Sequence, residues 1–128
     1  MNYLLDTQIW IWAIISPDRI PIEAERILSD KGQSLFLSSM SIYETTIKQQ
    51  LGKLELPLET YVETQILGIE ILPFGAECAR SVGDLPLFHR DPFDRAIVAQ
   101  ASYSDFTLIT ADRTLQSYSN FATILLVA

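Results

Sequence analysis

Four acidic residues, Asp6, Glu44, Asp94 and Asp112, occupy positions from which carboxylates could act together. If they converge, several carboxylates within a few ångströms repel one another. Some of them then take up protons unless a cation is present. Mg²⁺ or Mn²⁺ is the economical choice, because each prefers oxygen ligands and keeps water in its shell. No cysteine or histidine set with zinc spacing competes for that role. A dication held by acids, with water and a phosphate completing its shell, is suited to hydrolysing phosphodiesters.

Convergence requires elements that bring the four to one place. Tyr3-Leu4-Leu5, Leu35-Phe36-Leu37, Ile69 to Leu72, Thr107-Leu108-Ile109 and Thr123 to Val127 are short apolar runs of strand type. Helical patterns lie between them, at Thr7–Ile15, Glu23–Lys31 (closed by Gly32), Ser39–Leu51, Leu58–Leu67 and Pro92–Tyr103. Gly75 to Gly83 reads as a short helix, and Arg113 to Tyr118 as a helical turn. Gly52 and Gly68 stand where helices end. Apolar strands alternating with helices predict a parallel sheet of about five strands, covered on both faces. One α/β domain over residues 1–128 accounts for the whole chain.

In an open parallel sheet, ligands bind outside the carboxyl ends of the strands. Asp6 and Asp112 each follow such an end, and Glu44 and Asp94 lie in the first turns of helices at the same edge. Each also has a plainer reading. Ser41-Ile42-Tyr43-Glu44 fits a capping box, and Asp91-Pro92-Phe93-Asp94 fits an N-cap, a proline at N1 and an acid at N3. Asp6 and Asp112 could each cap the helix that follows. Capping needs no convergence, however, and a cap can also be a ligand.

Of the 128 residues, 48% are hydrophobic and 20% charged, which excludes a disordered chain. The net charge of −7 argues against general nucleic-acid binding. Metal-holding carboxylates count differently once loaded. Lys48, Lys53, Arg90, Arg95 and Arg113 also cluster in sequence near the four acids. The longest apolar run, Ile9 to Ile15, is too short to cross a bilayer. A lone Cys78 and the lack of a leader pattern ahead of Tyr3 point to the cytoplasm.

The ordered segments Leu4-Leu5-Asp6-Thr7, Tyr43-Glu44-Thr45-Thr46-Ile47-Lys48, Gly52-Lys53-Leu54-Glu55-Leu56-Pro57, Leu85-Pro86, His89-Arg90-Asp91-Pro92-Phe93-Asp94-Arg95, Ala99-Gln100-Ala101 and Leu108-Ile109-Thr110-Ala111-Asp112 resemble the PIN-domain ribonucleases. More narrowly, they resemble the VapC-type toxins of bacterial toxin–antitoxin pairs. The Asp-Pro-Phe-Asp-Arg and Thr-Ala-Asp blocks are the specific ones. The resemblance implies a three-layer α/β/α fold and a Mg²⁺- or Mn²⁺-dependent ribonuclease. It implies Asp6 and Asp94 as the direct ligands, with Glu44 and Asp112 completing the site, binding a second metal or orienting the water. Thr110 would steady the cluster through its hydroxyl, with Thr7 as a further supporting residue. The pattern carries a tryptophan before the helix acid, where this chain has Tyr43, a change of packing only.

Lys48, His89 and Arg95 are candidate RNA contacts. Lys48 could instead pair with Glu44 one turn earlier, and Arg95 with Asp91. His89, the only histidine, could serve in acid–base chemistry, although a lone loop histidine is commonly polar packing. The helix carrying Trp10, Ile11, Trp12, Ile14 and Ile15 is apolar on every side, and burying both tryptophans in so small a protein is difficult. Part of that surface should meet another chain. The resemblance implies a second copy or a cognate antitoxin, whose basic side chain can enter the acidic site.

Two other classes compete with the nuclease reading. A non-catalytic PIN-like binding module would use the acids only as caps. A phosphatase or receiver domain needs a second acid beside the first or a lysine late in the sheet. Asp6-Thr7-Gln8 supplies no such acid, and no lysine follows Lys53.

Overall fold

A computed structural model describes all 128 residues. The chain runs β1 (Asn2–Leu5), α1 (Thr7–Ile15), α2 (Ile22–Ser29), β2 (Ser34–Ser38), α3 (Ser39–Gln50), α4 (Glu59–Ile66), β3 (Ile69–Leu72), α5 (Ala76–Ser81), α6 (Pro92–Ser104), β4 (Thr107–Thr110) and β5 (Thr123–Leu126). Short 3₁₀ segments cover Pro17–Arg19, Val82–Asp84 and Arg113–Tyr118. The five strands form one sheet in the order β3-β2-β1-β4-β5, and every pairing is parallel.

Alternation along the strands fills both faces. Tyr3, Leu5, Leu35, Leu37, Ile69 and Ile109 pack on one side with Ile9 and Trp10 of α1 and Ala24 of α2. Leu4 and Leu108 point to the other side and meet Ile97, Val98 and Ala101 of α6. The result is the three-layer α/β/α arrangement that the strand and helix patterns predict. β1 lies at the centre of the sheet, in register with β2 and β4, so the residues after β1 and β4 emerge side by side. The Asp6 N–H still donates to the Ile109 carbonyl at 3.0 Å, extending that pairing by one residue.

Gly52 and Gly68 end α3 and α4 with φ of 72° and 76°, a conformation that favours glycine. Asp105 takes the same left-handed role after α6, with φ 57°. The second helix is shorter than the sequence pattern, because the chain turns at Asp30, whose carboxylate accepts from the Gly32 N–H. The capping box at Ser41 does not form. β2 runs directly into α3, and Ser38 is the N-cap, accepting from the Met40 N–H. Ser41 and Glu44 therefore lie inside the helix, and their polar groups serve other partners.

Trp10 is fully buried and donates from Nε1 to Thr64 Oγ1 at 2.9 Å. Trp12 is half-buried, and of the apolar residues of α1 only Ile15 is exposed. The larger open apolar stripe lies on and before α4, where Leu58, Val62 and Ile66 recur at helical spacing. No helix is long and apolar enough to cross a membrane.

Ser38→Ala should lower the unfolding free energy by about 1 kcal/mol, the usual cost of a lost N-cap. Urea denaturation measures it. An unchanged midpoint would show that α3 begins elsewhere.

Candidate active site

Asp6, Glu44, Asp94 and Asp112 line one cleft of about 310 Å³ at the carboxyl edge of the sheet. Thr7, Lys48 and Asp91 line it with them, and Ile11 and Trp12 form an apolar wall. Asp6 directly follows β1 and Asp112 lies two residues beyond β4, while α3 supplies Glu44 and α6 supplies Asp94.

Asp6 is 7% exposed. One carboxylate oxygen caps α1 by accepting from the Ile9 N–H at 2.8 Å, and the other accepts from the Thr110 hydroxyl. Thr110 Oγ1 in turn accepts from the Asp112 N–H at 3.0 Å. This one hydroxyl therefore ties the first acid of the chain to the last. Asp112 caps the 3₁₀ segment that follows, with Oδ1 accepting from the N–H and hydroxyl of Thr114. Its Oδ2 makes no hydrogen bond and lies 3.9 Å from His89 Nε2.

Glu44 is 4% exposed and has both oxygens occupied. Oε1 accepts from the Thr7 hydroxyl at 2.8 Å, and Oε2 accepts from Lys48 Nζ at 2.7 Å. Thr7 Oγ1 also lies 2.8 Å from Ser41 Oγ. Thr7 has one proton and gives it to the carboxylate, so the Ser41 hydroxyl completes the chain by donating to Thr7. The hydrogen bond to Glu44 raises the pKa of Lys48.

Asp94 caps nothing. Its own N–H is held by Asp91, which accepts from the N–H groups of Phe93 and Asp94 as the N-cap of α6. Asp94 Oδ2 lies 2.9 Å from His89 Nε2, and its Oδ1 has no protein partner. Burial, then the neighbouring Asp91, pushes the Asp94 pKa up to about 6. Burial likewise raises Asp6 to about 6, opposed by its hydrogen bonds and reinforced by the charges of Asp94 and Asp112.

Arg95 is not brought to the acids. Its Nη2 donates to the carbonyls of Val82 and Leu85, on the far side of the loop that carries His89. The sequence pattern gives no sign of two further participants. Asp91 opens into the cleft as well as capping α6, a dual placement that two acids three apart at a helix start permit. Tyr118, fully buried, accepts from the His89 N–H at 3.0 Å and donates to the Pro86 carbonyl at 2.8 Å. Nothing in the local sequence links Tyr118 to that loop.

Residues 3–120 match the family described as PIN domain. No curated protein sequence matches the chain. Among solved structures, the fold is similar to VapBC2 from Rickettsia felis bound to a DNA fragment from its promoter. The TM-score there is 0.71, with 21% identity over 100% of both chains. It is also similar to DNA-bound VapBC from Salmonella typhimurium, at TM-score 0.66 and 19% identity over 98% of this chain and 97% of that one. FitAcB from Neisseria gonorrhoeae gives 0.63 and 18% over 96% of each chain.

The raised carboxyls fix a sign for stability. Asp6 and Asp94 titrate near 6 in the fold against 3.8 for a free side chain, so the fold binds their protons more tightly. That stabilisation is complete below the free value and is lost as pH rises through 6. In EDTA, the contribution of these two groups should lower the melting temperature between pH 4 and 7. Asp94→Asn should flatten that slope and raise the melting temperature at pH 7.5. A steeper slope in the variant would contradict the charge crowding described here.

Proposed function

We propose that this chain, which belongs to the PIN domain family, is a metal-dependent endoribonuclease acting as the toxin of a toxin–antitoxin pair. The observation that carries this reading is the set of four acids from four segments in one cleft, two of them raised to about 6. Carboxyls so poised are poorly stabilised as neighbouring anions and favour a cation. The donor set is all oxygen among the acids, which suits Mg²⁺ or Mn²⁺.

Asp6, Asp94, Asp112 and Glu44 would hold the ion, with Asp94 Oδ1 and Asp112 Oδ2 the oxygens free of protein hydrogen bonds. When bound, the dication supplies an activated water and neutralises charge gathering on the phosphate. Thr110 and Thr7 hold Asp6 and Glu44 in place through their hydroxyls. Lys48 brings the one ammonium group of the cleft, and phosphate would draw it from Glu44. Arg95 is assigned no substrate contact, since its guanidinium is engaged by two backbone carbonyls.

The solved relatives named VapBC are toxin–antitoxin or DNA-bound assemblies, and a cognate antitoxin is the partner proposed for this chain. The exposed stripe of Leu58, Val62 and Ile66 offers apolar area for it. A bacterial cytoplasm is the proposed compartment. The competing reading, a binding module whose acids only cap helices, has support from Asp6, Asp91 and Asp112, which do cap. It does not extend to Asp94 and Glu44, which accept no capping bond and instead pair with His89 and with Thr7 and Lys48.

Purified protein should cleave single-stranded RNA with Mg²⁺ or Mn²⁺ and stop in EDTA. Asp94→Asn should slow cleavage on the order of 100-fold, the scale of losing one group that organises transition-state charge. Cleavage that persists in EDTA, or in a folded Asp94→Asn protein, would remove the assignment.

A further inference from the structure

The four acids leave His89 unexplained. Its Nε2 lies 2.9 Å from Asp94 Oδ2 and 3.9 Å from Asp112 Oδ2. Ligand atoms of these three residues all lie within 4.8 Å of one another. Two ligands ~2.1 Å from one octahedral ion are ~3 Å apart when adjacent and ~4.2 Å apart when opposite. The 2.9 Å separation, a hydrogen bond in the metal-free chain, is close to the adjacent value, and 3.9 Å is nearer the opposite one.

The backbone that presents the ring is fixed. The His89 N–H is held by the hydroxyl of Tyr118, and the same hydroxyl holds the Pro86 carbonyl. Arg95 Nη2 grips the Leu85 carbonyl at the start of the loop, at 2.9 Å. The Phe88 ring packs on Tyr118 with centroids 5.4 Å apart. These contacts hold the backbone of the loop, which positions the residue before any ion arrives. The ring nitrogen hydrogen-bonds Asp94 and stands beside Asp112, so a dication entering there would take the place of the proton in that bond.

We propose that His89 is a nitrogen ligand in a His89–Asp94–Asp112 dication site and biases the cleft toward first-row transition-metal ions such as Mn²⁺ over Mg²⁺. The inference rests on the acidic cleft being a metal site. An imidazole nitrogen suits transition metals, whereas Mg²⁺ prefers carboxylate oxygen and water. Replacing one oxygen position by nitrogen therefore shifts preference without changing the number of acids.

Electron spin-echo modulation of Mn²⁺ added to the metal-free full chain reads direct nitrogen ligation. The wild type should show ¹⁴N modulation characteristic of a bound imidazole, and His89→Ala should lack it. Calorimetry should find Mn²⁺ affinity weakened at least ~10-fold in His89→Ala, the loss that removing even an outer partner of a metal ligand causes, with Mg²⁺ affinity nearly unchanged. If wild-type Mn²⁺ binding needs Asp94 yet shows no ¹⁴N modulation, the acidic site stands and His89 is not a ligand. If Mn²⁺ fails to bind the wild type, both readings fall. The spin-echo measurement on the wild type needs no variant, so a misfolded His89→Ala would not shelter the proposal.

Discussion

Burial of like charge at the carboxyl ends of β1 and β4 is the constraint around which the rest of this molecule is arranged. Asp6 is almost wholly out of water and feels the charges of Asp94 and Asp112. Moving a carboxylate out of water is unfavourable unless hydrogen bonds or a cation compensate. The surroundings of the cluster supply a partial answer. Thr110 donates to Asp6, the N-terminal amides of α1 and of the last 3₁₀ segment face Asp6 and Asp112, and Lys48 faces Glu44. Compensation is incomplete, and the two raised carboxyls record the shortfall. A small protein with a net stability of order 10 kcal/mol has little reason to keep such a cluster unless function uses it.

The parallel sheet makes the crowding unavoidable. β1 and β4 are adjacent and in register, so the residues that follow them leave the sheet together. α3 and α6 begin at the same edge and bring Glu44 and Asp94 over it. Helix N-termini stabilise negative charge there, so capping and anion crowding are not rival explanations. Asp112 illustrates this: one oxygen caps, and the other faces His89 and the cleft.

Much of the fold was legible because its signals are local. Apolar strand runs, glycines at 52 and 68, and the Asp91-Pro92 start of α6 each act within a few residues. The same local logic failed at Ser41, where the Ser-x-x-Glu pattern suggested a cap. The length of β2, ending at Ser38 with no intervening loop, decides where α3 begins. Adjacency also misled at Arg95. One residue along a helix is a rotation of about 100°, which turns its guanidinium from Asp94 toward the Val82 and Leu85 carbonyls.

His89 shows the opposite case, a residue whose surroundings come from far away. The tether from Tyr118 spans 29 positions and is a matter of tertiary packing, which no spacing reports. The convergence of acids was readable from strand ends, whereas their hydrogen-bond seats were not. The most direct test of the central claim is anomalous diffraction from crystals of the protein grown with Mn²⁺ at neutral pH. The account predicts a Mn²⁺ peak in the cleft, bound by carboxylates that include Asp94 and Asp112. A cleft without such a peak at saturating Mn²⁺, with the four acids still making only the hydrogen bonds described here, would contradict it.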